Sequence, residues 1–78
     1  MIEVIITFHG SVFLRDARPI QGKTFHQCHQ LTSIQNLIDY YSLIPNVRVS
    51  VNGELINDVD KLFNPGDEIH FFRPVSGG

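Results

Sequence analysis

At 78 residues the chain is one small domain, and domains near this size bury only about 60% of the surface their unfolded chain exposes, so the core is thin. A 42% apolar share suits a packed globule and lies well above that of a persistently disordered chain, while six Lys and Arg against eight Asp and Glu give a formal charge of -2. The basic residues scatter from Arg15 to Arg73 without a stripe, which argues against nucleic acid as a partner. Cys28 is the single cysteine, so an intramolecular disulfide is excluded and a reducing compartment is expected. No basic segment leads into a hydrophobic run at the start, and no stretch nears the roughly 18 apolar residues of a membrane span, so the expectation is a cytoplasmic chain without address or anchor.

Ile2, Val4, Ile6 and Phe8 alternate with Glu3, Ile5 and Thr7, and this period of two predicts a first strand over residues 2–8 with one buried face. His9 to Gly22, punctuated by Gly10, Pro19 and Gly22, reads mostly as loop, with Val12, Phe13 and Leu14 able to cover a core edge through a helical turn. Lys23 to His29 holds Phe25 between polar residues and predicts a second strand. Ile34, Leu37, Ile38 and Tyr41 then fall on one stripe at helical spacing. Thr32 with Gln35 fits a capping box, and Ser33 is an equally good cap. Pro45, with no N–H to give and a bias that pushes Ile44 towards extended geometry, is expected to force the helix to end.

Val47, Val49 and Val51 alternate with Arg48 and Ser50 and run into Asn52-Gly53, the dipeptide best suited to a type I′ turn. Glu54, Leu55 and Ile56 return as the partner strand. Asn57 to Phe63 predicts a short turn docking Val59, Leu62 and Phe63, and Asn64-Pro65-Gly66-Asp67 is a reverse turn by composition. A last strand over Glu68 to Arg73 places Ile69 and Phe71 on one face and His70 and Phe72 on the other. One helix set mid-chain among four to five strands predicts an α+β, β-grasp (ubiquitin-like) fold: a mixed sheet, the helix on one face, the final strand beside the first. A ferredoxin-like fold needs a second helix. The domain is expected over residues 1–73, with 74–78 as a flexible tail.

The tail carries the chemistry. Without a Cβ, Gly77 and Gly78 can take any backbone geometry and enter a channel too narrow for other residues, so the reacting group can be the main-chain carboxylate of Gly78 itself. Pro74 donates no hydrogen bond and should release the tail from the sheet at a defined place. Val75 offers an apolar anchor to a partner groove.

Three stretches, Val49-Ser50-Val51-Asn52-Gly53-Glu54, Asn64-Pro65-Gly66-Asp67-Glu68-Ile69 and above all Pro74-Val75-Ser76-Gly77-Gly78, together with Ser33-Ile34 and Leu37-Ile38, resemble the small sulfur carriers of the MoaD/ThiS family. The Pro-Val-Ser-Gly-Gly ending resembles the molybdopterin synthase small subunits. A connection from helix to third strand of Pro45 and Asn46 at most resembles the thiamine-type carriers. The resemblance implies two-stage chemistry at Gly78: an E1-like adenylating enzyme of MoeB/ThiF type joins the carboxylate to AMP at the expense of ATP, and a sulfur donor then displaces AMP to give a thiocarboxylate. In the molybdopterin branch the tail delivers that sulfur inside a large subunit of MoaE type. Arg73, Pro74, Val75, Ser76, Gly77 and Phe72 are the implied partner-binding residues, the exposed sheet face near the tail is by analogy the surface that meets the activating enzyme, and the chain itself holds no cofactor or metal.

Several features admit plainer readings. Gly77-Gly78 could be an idle end, although the upstream turn and strand pattern favours function. His26, Cys28 and His29 are zinc-ligand types, but on a strand His26 and Cys28 share a face that His29 does not, so ordinary strand residues are favoured. No feature beside Cys28 marks a low-pKa nucleophile. Arg73 is either a contact for an acidic partner group or a solvated strand end. Phe71, Phe72 and Tyr41 read as packing, with one of the two adjacent phenylalanines facing away from the helix as a docking anchor with Leu55. Dispersed carboxylates give no acid–base pair, so independent catalysis has little support. The competing functions are a carrier for thiamine thiazole or transfer RNA, a protein modifier joined to lysines through Gly78, and a passive interaction module.

Overall fold

The alternation that opens the chain carries its first strand, β1 (Ile2–Phe13), five residues past the predicted end at Phe8. The computed structural model describes residues 1–73. Within them the stretch expected as loop is the far half of a hairpin, in which β1 pairs antiparallel with β2 (Pro19–Cys28) from Ile2↔Cys28 to Phe13↔Pro19. No helical turn forms at Val12, which is fully buried as a strand residue. The connection is only Leu14 to Arg18, closed by the Leu14 N–H donating to the Arg18 carbonyl at 2.7 Å. The residues that suggested a loop have uses inside a hairpin. Gly22, at φ +119°, lies where the register shifts beyond Phe8, a bulge that needs its backbone freedom. Pro19 is tolerated because β2 is an edge strand, where one side of the backbone has no ladder to lose.

Helix α1 (Ile34–Tyr40) buries Ile34, Leu37 and Ile38. Ser33, rather than Thr32, is the cap: its Oγ accepts the Asn36 N–H at 3.2 Å. The first two helical N–H groups are satisfied from outside, Ile34 by the Lys61 carbonyl at 3.0 Å and Gln35 by Val59 at 2.8 Å. The segment 57–63 therefore crosses the helix start, with Phe63 buried and Val59 packed on the core. Leu62, predicted to dock as well, is 53% exposed because the chain is extended there and neighbouring side chains point opposite ways. The helix stops well before Pro45. Ser42 takes φ +55°, its N–H donates to Asp39 at 3.1 Å and the Leu43 N–H donates to Ile38 at 2.9 Å, a Schellman termination. The connection to the next strand is accordingly Tyr41 to Val47, not the two residues expected.

Strand β3 (Arg48–Val51) and β4 (Glu54–Ile56) form the predicted hairpin, with Asn52 at φ +53° and Gly53 at φ +87° as a type I′ turn requires. Strand β5 (Glu68–Phe72) pairs parallel with β1 and antiparallel with β3, so the sheet order is β2-β1-β5-β3-β4. This is the expected β-grasp arrangement, with five strands. Alternate residues Val4, Ile6, Phe8, Val49, Ile69 and Phe71 face the helix and form the core with Ile34, Leu37 and Leu43.

At the β1–β5 start, two turns are locked together by one carboxylate. Buried Asp67 accepts from the Asn64 N–H at 2.7 Å and the Asn52 amide at 2.9 Å, while Asn52 Oδ1 accepts the Glu68 N–H at 2.9 Å. The closing strand is thus fixed at its start, where it enters the sheet.

Candidate functional site at the end of the last strand

Because β5 runs parallel to β1, its C-terminal end emerges beside the far half of the β1–β2 hairpin. There the main chain of β1 continues into contact with the helix-to-β3 connection: the Ile44 N–H donates to Phe13 at 3.1 Å and the Arg15 N–H to Ser42 at 2.8 Å. The two segments and the end of β5 enclose an open groove of about 450 Å³, with Phe13, Leu14 and Ile44 as apolar walls and Arg15, Asn46 and Arg73 as polar ones.

Arg73, the predicted residue nearest the tail that the structure describes, is exposed and lies with its guanidinium carbon 5.5 Å from the centre of the Phe13 ring. Its alternatives, solvated strand end or partner contact, are both compatible with that placement. Arg15 and Arg18 at the same end are tied to Asp39 at 3.0 Å and Asp16 at 2.7 Å. The Asp16 carboxyl is held below its ordinary range, chiefly by the Arg18 backbone N–H and then by its guanidinium. Arg48 is opposite Phe72 at this end as well. The carboxylates Glu3, Glu54, Asp67 and Glu68 sit at the opposite end of the strands. The groove end of the sheet is therefore its basic end.

Phe71 and Phe72 divide as expected. Phe71 is fully buried and stacks on Phe8 with centroids 5.7 Å apart, and Phe72 is half-buried on the face away from the helix. Leu55 shares that outer face and is 50% exposed, but it stands opposite Ser50, not beside Phe72. Phe25, 61% exposed and opposite Ile5, adds an aromatic that sequence reading did not assign to this surface. The predicted partner-binding residues Pro74, Val75, Ser76 and Gly77, and the reactive Gly78, lie outside the described residues, as does the expected flexible tail.

His26, Cys28 and His29 fall apart as ligands. His26 is buried on the helix side, its Nδ1 2.8 Å from the Tyr41 hydroxyl and its ring edge-on to Tyr40 and Tyr41. Burial pushes the His26 imidazole below its ordinary value and the Tyr41 phenol above its own, the latter raised further by Tyr40. Cys28 is half-buried against the core and His29 is exposed beyond the strand end. Among the described residues no three His, Cys, Asp or Glu side chains come together as metal ligands, and no helix is long and apolar enough to cross a membrane.

A protein-family model, described as the ThiS family, matches residues 12–78. The chain belongs to the ThiS family. The match takes in the last two residues of β1, every later element and the last five residues. No curated protein and no solved structure matches the chain. ThiS-family proteins are β-grasp sulfur carriers that work with E1-like adenylating enzymes and sulfur-transfer partners, and a sulfur-carrier role is the function of this chain at that level of description. What sequence reading missed is the groove: Phe13 and Ile44 are brought to the tail exit only by a hairpin and a connection whose lengths were both misjudged.

Proposed function

We propose that the chain carries sulfur as a thiocarboxylate on Gly78 and serves, in the cytoplasm, as the small subunit of a molybdopterin synthase in molybdenum cofactor biosynthesis. The observation that carries the reading is the parallel pairing of β5 with β1, which holds the closing strand between β1 and β3 and aims its C-terminal end out of the basic end of the sheet. The Pro74-Val75-Ser76-Gly77-Gly78 ending supports the molybdopterin branch. The two-residue connection that resembled the thiamine type does not exist, since Tyr41 to Val47 link helix and strand.

In this reading Gly78 is the natural end of the chain and its carboxylate attacks the α-phosphate of ATP on an E1-like enzyme, expelling pyrophosphate. Sulfide-level sulfur (HS⁻) from a donor then attacks the acyl carbon, AMP leaves, and a thiocarboxylate remains. A large subunit accepts the tail, where tethering gives the sulfur a high effective concentration at the acceptor. Phe72 and Leu55 on the outer face and Arg73 at the exit are docking contacts, and the chain supplies no acid, base or metal. ATP is consumed by the activating enzyme and is not held here. Truncation tests this: removing Gly78 should leave the urea midpoint unchanged and abolish pyrophosphate exchange with the adenylating enzyme. A truncated chain that still supports exchange refutes the carrier chemistry.

Membership of the ThiS family is equally compatible with a second reading, delivery of sulfur to thiamine thiazole. Co-purification from native cells separates the two, since the first recovers a molybdopterin synthase large subunit and the second a thiazole synthase.

A further inference from the structure

Two histidines 61 residues apart in the chain meet on the outer face of the sheet. With Thr7 opposite His70 across the parallel β1–β5 pair, His9 lies two residues further along β1 and on the same side of it. The Nε2 atom of His9 is 2.7 Å from Nδ1 of His70, and the rings stack with centroids 5.0 Å apart and planes at 27°. One of these nitrogens carries the proton and the other offers its lone pair. His9 is exposed and His70 half-buried, and the cross-strand neighbours of His70 are the small, uncharged Thr7 and Ser50, which leave the rings open above the sheet. Sulfur carriage through the tail uses neither ring.

We infer that His9 and His70 form a two-imidazole site for a divalent transition-metal ion of the nickel, copper and zinc group. Imidazole is a preferred ligand of these ions. Metal–nitrogen bonds of about 2.0–2.1 Å meeting at a right angle put their nitrogens about 2.9 Å apart, and a tetrahedral angle puts them about 3.3 Å apart. The nitrogens already stand within a few tenths of an ångström of the first spacing, and turning the exposed His9 ring and the half-buried His70 ring about their side-chain bonds directs both lone pairs to one point above the sheet. The exchange balances: the proton between the rings passes to the far nitrogen of its own ring, both imidazoles stay neutral, and the ion keeps its two charges. Water completes the coordination, since no third protein ligand joins the pair among the described residues. His70 is held in β5 by ladder pairs to β1 and β3, while His9 stands in β1 one residue beyond the last pair with β5, at the start of the bulge.

Nickel titrated into the full chain by calorimetry, with imidazole nitrogen NMR as a second readout, tests the site. One equivalent should bind, and the ring signals of His9 and His70 should broaden ahead of those of His26 and His29. His9→Gln or His70→Gln should each lower the affinity at least about tenfold, the scale on which even outer-shell partners of a metal matter. His29→Gln and Cys28→Ser should leave it unchanged, and circular dichroism checks that every variant is folded. Absence of saturable binding, equal affinity in the His9→Gln/His70→Gln double variant, or loss of binding in His29→Gln or Cys28→Ser overturns the inference.

Discussion

Alternate residues of the same strands build the two faces of the sheet, and the faces have little else in common. Towards the helix, Val4, Ile6, Val49, Ile69 and Phe71 are at most 1% exposed; away from it, Phe25 is 61% and Leu55 50% exposed. The difference teaches that in so small a domain a single step along a strand separates a residue that holds the fold from one free to meet a partner.

The adjacent phenylalanines offer the strongest way to break that comparison. Phe71→Ala empties a fully buried position and should cost about 3–5 kcal/mol, whereas Phe72→Ala should cost about 1 kcal/mol, both read from urea denaturation. Equal costs would mean that the outer face is structural too. Two polar side chains are buried as well, Asp67 in the turn that feeds β5 and His26 on the inner face, and each sharpens the contrast. Asp67→Ala strands the Asn64 N–H and the Asn52 amide it accepts from, and should cost about 2 kcal/mol by the same measurement.

His26 predicts a pH dependence. Burial lowers its folded value below the ordinary 6.5, so just below 6.5 the unfolded chain takes up a proton that the folded chain does not. Its contribution is complete above that value, falls as the pH drops through it, and levels off once the buried imidazole itself is protonated. The melting temperature should therefore fall between about pH 7.5 and 5.5, and the fall should be shallower in His26→Gln. The smallest effect concerns the helix that covers the inner face. Ser42 occupies a left-handed position that glycine fills without strain, so Ser42→Gly should stabilise by about 1 kcal/mol in thermal unfolding.

The two hairpins show what could be read from the sequence. In β3–β4 the turn residues state their own backbone geometry, Asn52-Gly53 at positive φ, and the alternation of Val47, Val49 and Val51 gives the register. In β1–β2 the connection Leu14 to Arg18 carries no such dipeptide, its left-handed residue is Ala17 at φ +71°, and the bulge beyond Phe8 interrupts the alternation with a glycine on each side. Local chemistry therefore pointed the wrong way. The helix end was misread for a related reason: Pro45 is a strong signal, yet Ser42, an uncommon residue for a left-handed cap, had already ended the helix. At the site, the tail reading rests on residue types alone and falls outside the described residues. Phe13, Ile44 and the His9–His70 pair were not legible, because each depends on which distant segments the topology brings together.

The intact mass of the protein taken from its native cells tests the central claim most directly. Sulfur carriage on the main-chain end predicts a species ending at Gly78 with one oxygen replaced by sulfur, lost on mild hydrolysis and absent from cells lacking the adenylating enzyme. A population made only of larger lysine-linked conjugates, or of chains continuing past Gly78 untrimmed, contradicts it.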